Sequence, residues 1–131
     1  MAKAEDLMGL GVPHFQSRRI GINQASIICG GGSAGSATAI NGYTRSVYVT
    51  ASNAGSGLVL PSVGGDGALL NDQFFVTNML GAAVNVYAPG TATFLSPDGA
   101  SVAGTVGVSV SSFKTALFMP ITATTWIGMR G

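Results

Sequence analysis

From Ile20 onward the chain is a series of short runs in which apolar and polar residues alternate, each closed by a cluster of turn formers. Alternation with a period of two puts one set of side chains on each face of an extended strand, whereas a helix needs a period of 3.6. Residues 45–51 (RSVYVTA) set Val47, Val49 and Ala51 against Tyr48 and Thr50. Val84 and Val86 alternate with Asn85 and Tyr87, and Val106, Val108 and Val110 alternate with Gly107, Ser109 and Ser111. The runs QFFVTNM (73–79), KTALFM (114–119) and TTWIGM (124–129) predict three more strands, 57–60 a short one and 20–29 another. Between them lie residues 30–35, 53–57 and 64–67, Pro89-Gly90 and Pro97-Asp98-Gly99, which carry the chemistry of turns. Eight to ten short strands at such spacing predict an all-β fold, a single β-sandwich or jelly-roll-like domain over 20–131. Phe74, Phe75, Phe94, Phe113, Phe118 and Trp126 are candidates for its core or for subunit contacts, with core the default for most of them.

Charge is the next constraint. Only 8% of the 131 residues are charged, against about 25% in an ordinary soluble domain, while the apolar fraction of 47% is normal. Residues 46–113 carry no charge besides Asp66, Asp72 and Asp98. A domain of this size leaves roughly a third of its unfolded chain's surface in water, and Lys and Glu usually keep that surface soluble. A body this neutral is best explained if other subunits cover much of it. The formal net charge of +1 offers no basic footprint for nucleic acid. No apolar run reaches the 18 residues a membrane helix needs, so no membrane partner is expected. Lys3, Glu5 and Asp6 at the start are unlike a secretion signal. A single cysteine, Cys29, makes no internal disulfide.

The first 19 residues are different. They hold five of the eleven charges, Lys3, Glu5, Asp6, Arg18 and Arg19. Residues 3–10 predict two helical turns with an apolar side of Leu7, Met8 and Leu10, weakened by Gly9 and Gly11 and ended by Pro13. Two turns are not stable alone in water, so residues 1–19 are expected to be an arm that docks on something. Leu7, Met8, Leu10, Arg18 and Arg19 are its candidate partner-binding residues.

Catalytic chemistry has little to work with. Gly30-x-Gly32-x-x-Gly35 follows a strand-like run, as in a dinucleotide-binding unit. Asn41-Gly42 interrupts the helix that should follow, no acid stands about 20 residues on, and no alternating helices supply a parallel sheet. The glycines are therefore expected to make a β-connection, and no cofactor is predicted. His14 is the sole histidine and lies in the arm; Cys29 reads as a buried inert thiol. Asp66, Asp72 and Asp98 each sit beside turn residues. One histidine and one cysteine make no zinc set. No enzyme is expected.

Four stretches, AKAEDLMGLGVP (2–13), GLVLP (57–61), AVNVYAP (83–89) and TALF with the following Trp (115–126), together resemble small virion proteins of tailed bacteriophages, of the capsid-decoration (cement) and head-fibre type. The resemblance covers most of the chain through short motifs and carries over no binding residues. It implies a β-rich structural subunit, often a homotrimer, bound to the major capsid protein or another virion protein on the particle surface. Two alternatives stand beside it. One is a tail or fibre component. The other is a carbohydrate- or cell-surface-binding module in which Tyr43, Tyr48, Tyr87 and Trp126 stack on sugar rings, against the simpler expectation that Trp126 closes the core.

Overall fold

The computed structural model describes residues 24–53, 55–65, 67–95 and 101–130. Among them are eleven strands and no helix: β1 (Gln24–Gly30), β2 (Thr38–Ala39), β3 (Ser46–Asn53), β4 (Gly57–Val59), β5 (Phe74–Asn78), β6 (Val84–Tyr87), β7 (Thr93–Leu95), β8 (Ser101–Ala103), β9 (Val108–Val110), β10 (Thr115–Thr122) and β11 (Thr125–Arg130). They form two packed sheets, one of seven strands in the order β1-β3-β5-β10-β11-β7-β8 and one of four in the order β2-β4-β6-β9. The domain is a β-sandwich, as the alternation predicts.

The winding is less ordinary. β1, β3 and β5 pair in parallel in the larger sheet, and β2, β4 and β6 pair in parallel in the smaller. The first six strands thus form a coil, each turn running up one sheet and back down the other. Parallel neighbours need a long crossover, and here a strand of the opposite sheet takes the place of the usual helix. Gln24 pairs with Ser46 and Ser46 with Phe75, so successive turns differ by several residues. The difference lies in loops such as 60–73, which is why the sequence shows no fixed repeat. The second half closes the sandwich by antiparallel pairing of β10 with both β5 and β11, and of β9 with β6.

Alternation converts directly into burial. Phe74, Val76 and Asn78 of β5 point into the sandwich, as do Val84 and Val86 of β6 and Ala116 and Phe118 of β10. Trp126 lies fully buried beside Phe74, ring centres 5.8 Å apart and tilted by 53°, and Phe94 meets Phe118 at 5.9 Å. Tilted aromatic pairs of this kind add about 0.5–1.5 kcal/mol beyond the area they bury. β10 runs past the expected end of its strand at Met119 because Pro120, which has no N–H to give a ladder, sits beside a register shift between Pro120 and Thr122. Val106 departs from expectation: it lies in the turn before β9 and is exposed. Phe75 and Phe113 are also exposed, so the core default fails for these two. Short strands at 38–39, 93–95 and 101–103 carry too few residues for alternation to announce them.

Candidate interaction surface

The arm candidates Leu7, Met8, Leu10, Arg18 and Arg19 lie outside the described residues, as do His14, Asp66 and Asp98. The remaining residues singled out in the sequence have clear places. Asp72 is a turn residue as expected: its Oδ2 accepts from the Leu69 N–H at 2.8 Å while its own N–H reaches the Leu69 carbonyl at 3.1 Å. It is also nearly fully buried, with Oδ1 3.2 Å from Arg45 Nη2. The Arg45 guanidinium lies over the Phe74 ring at 5.8 Å. This latch joins the loop before β3 to the turn before β5, and spacing alone could not reveal a contact between residues 27 positions apart.

The glycine-rich loop is a corner of the coil. The Gly31 φ of +81° is a left-handed conformation, and a Cβ there would fall 2.1 Å from the Ser36 carbonyl oxygen. The next turn of the coil stacks on it: a Cβ on Gly55 would lie 2.5 Å from the Gly31 carbonyl carbon, and one on Gly57 would lie 2.6 Å from the Gly31 oxygen. Backbone packs on backbone, and only glycine leaves the room. The Tyr87 ring fits between Gly57 and Gly107, its hydroxyl reaching toward the Gly32 carbonyl at 3.4 Å. The β-connection expected of these glycines is what the structure contains.

Cys29 is fully buried, its thiol 3.9 Å from the Gly55 carbonyl oxygen. Burial raises its pKa above the ordinary thiol value, with a smaller opposing effect from a backbone hydrogen bond. The native thiol should therefore react with Ellman's reagent about a thousandfold or more slowly than the urea-unfolded chain, since reaction waits on opening of the coil. The direction of the shift also fixes a pH effect. Because the folded value is the higher one, this group's stabilising contribution is intact below the unfolded thiol's pKa and is lost as pH rises through the alkaline range toward the folded value. Urea midpoints of wild type and Cys29→Ala measured across that range should converge as pH rises.

Trp126 and Tyr87 are enclosed in the protein, so neither can stack on a sugar ring. Tyr43 and Tyr48 are partly exposed.

What remains is the outer face of the seven-stranded sheet. Register builds it in rows. Phe75 of β5, Leu117 of β10 and Met129 of β11 stand side by side, and Met119, Ile127 and Leu95 form a second row across β10, β11 and β7. Phe75 and Met129 are exposed by 41% and 48%, and the other four are half-buried. Thr77 and Thr115 make the one polar row between β5 and β10, and their hydroxyls share one hydrogen bond at 2.9 Å, which uses the O–H of one of the two. At the end of the face, the Asn78 N–H donates to the Lys114 carbonyl, and the Ser112 hydroxyl donates to the Leu80 carbonyl at 2.6 Å. One step beyond the ladder this sets Met79 across from Phe113, exposed by 51% and 69%. Phe113 has φ +56°, a conformation that costs a bulky side chain about 1–2 kcal/mol.

Period-two alternation by itself does not mark these face residues as a site. A signal was nevertheless present. TALFMPIT and TWIGM are apolar at both parities, which is the pattern of strands covered on both faces. Among the described residues only one face of β10 and β11 has a layer over it. Comparison of the chain with protein families, with curated proteins and with solved structures finds no match.

Proposed function

We propose that this chain is a non-enzymatic structural subunit that works by assembly, and that its setting is the surface of a tailed-phage particle, where it decorates the capsid as a homo-oligomer. The observation that supports this most is the outer sheet face, which is apolar across four strands and has no charged side chain in its rows. From the Met79–Phe113 end to the Met119 row is about 20 Å, and four strand widths make about 19 Å, hence roughly 400 Å². Covering such a face yields at most about 10 kcal/mol at 25 cal/mol/Å². Association costs about 4–15 kcal/mol in lost freedom, so one contact alone is near break-even. Many weak contacts repeated over a particle become strong through effective concentration, which suits a decorating subunit.

The test is immunogold electron microscopy of source particles with antibody raised against the recombinant protein. Gold spaced regularly over capsids is the expected result, and gold confined to one vertex or to the tail moves the protein to the tail. Intact, accessible particles without label remove the exposed virion role.

A further inference from the structure

We propose that Asn41 is a site of spontaneous backbone modification, and that local opening of the turn around it sets the rate. Of the six asparagines, Asn41 alone is followed by glycine. The reaction belongs to the chain itself and consumes only water. The Gly42 nitrogen attacks the side-chain carbonyl carbon of Asn41, the new C–N bond closes a five-membered imide, and the side-chain amide leaves as ammonia. Water then adds to one of the two Asn41-derived carbonyls of the imide and breaks its bond to nitrogen. Opening at the side-chain carbon gives aspartate. Opening at the backbone carbon gives isoaspartate, whose main chain runs through the side chain and is one carbon longer. Glycine favours ring closure because it has no Cβ to crowd the attacking nitrogen, whereas Gln, Ala, Asp, Met and Val follow the other five asparagines.

The fold adds what holds the reaction back. Asn41 is exposed in the loop between β2 and β3. Its Oδ1 accepts from the Tyr43 N–H at 2.9 Å, and its backbone carbonyl accepts from the Thr44 N–H at 3.0 Å. A flat five-membered ring eclipses the Cα–Cβ bond, a geometry that no staggered side chain has, so these two bonds give way before the nitrogen attacks. Both lie within four residues of one loop, and opening them costs only a part of the global stability. Asn78 is the contrasting case. It is fully buried and bonded at three points, so it converts only when the domain unfolds.

The product differs from the parent in charge and in length. A carboxylate in place of the amide takes the formal net charge from +1 to zero, and a chain without net charge associates more readily. The longer isoaspartyl backbone lies between Ile40, whose N–H bonds the Val59 carbonyl at 2.9 Å, and Arg45, which holds Asp72. Conversion therefore loosens the latch between the loop before β3 and the turn before β5, and no step on this path restores the amide.

Peptide mapping by mass spectrometry of the full chain, incubated at mildly alkaline pH, reads conversion at every asparagine. In the native chain Asn41 should convert faster than any other asparagine by about tenfold or more, and more slowly than in the urea-unfolded chain by about tenfold or more. Its native rate should stay within about twofold across urea concentrations below the unfolding transition, because local opening exposes little surface. The same constancy is expected in Asn78→Ala, which removes a buried, triply bonded side chain far from the loop. Were global unfolding the controlling step, conversion would climb steeply with urea and rise about a hundredfold in so destabilised a variant. If Asn78→Ala fails to fold, the urea series on the wild type decides alone. Another asparagine converting first, a native rate equal to the unfolded one, no conversion of Asn41 in the native chain, or a rate that follows global stability overturns the inference.

Discussion

Replacing Asn78 by alanine should lower stability by about 3–5 kcal/mol, a large share of the 5–15 kcal/mol that holds a typical domain together. Asn78 is fully buried at the end of β5. Its amide donates to the Ala82 carbonyl at 2.7 Å and to the Val110 carbonyl at 3.1 Å, and its Oδ1 accepts from the Leu80 N–H at 2.9 Å. One side chain thus closes the turn after β5 and ties the seven-stranded sheet to β9 of the other. Alanine leaves all three backbone groups without this partner, and an unsatisfied buried group costs about 1–3 kcal/mol. Asn78→Asp should be worse, since it sets a carboxylate oxygen against one or both carbonyls that now accept from an amide. Urea unfolding followed by tryptophan fluorescence would measure both, with Trp126 buried in the core as reporter. A loss below about 1 kcal/mol for Asn78→Ala would mean that water replaces the amide readily, and that the two sheets do not depend on it.

The second large effect is expected at Gly31, and its neighbour is the control. Gly31→Ala must place a Cβ 2.1 Å from the Ser36 carbonyl oxygen while holding φ at +81°. Left-handed strain contributes about 1–2 kcal/mol and the clash another 1–3 kcal/mol, so a loss of about 3 kcal/mol or more is expected. Gly32 lies one residue on, and a Cβ there meets nothing within 4 Å. Gly32→Ala should change stability by less than about 0.5 kcal/mol. Equal effects at the two positions would show that the corner relaxes, and that the stacking of successive coil turns is not what requires glycine.

These two sites divide in how far they could be read in advance. The turn at 30–35 is announced by its composition, but which of its glycines is irreplaceable depends on Ser36 and on Gly55 in the next turn of the coil. Asn78 gives no warning at all. Within QFFVTNM it occupies an inward position by parity, where a polar residue looks like a flaw until the Val110 carbonyl, 32 residues away, is brought to it. The same holds for Arg45 and Asp72. Asp72 is visible as a turn former, while the guanidinium that meets it arrives from the loop before β3. The candidate face was half visible. The unbroken apolar runs of β10 and β11 mark strands with two dry sides, but only the order of strands shows which side has no second sheet over it among the described residues.

Local chemistry alone therefore determined that this chain is all-β, where most strands and turns fall, and which face of each strand is apolar, because period-two alternation and turn residues act within a few positions. Tertiary structure decided that the first six strands wind as a parallel coil, which glycines carry the corners, and which apolar face has no second layer among the described residues. Parallel partners are separated by whole turns of unequal length, and pairing across such distances is selected by the summed burial of the core rather than by any short stretch of sequence.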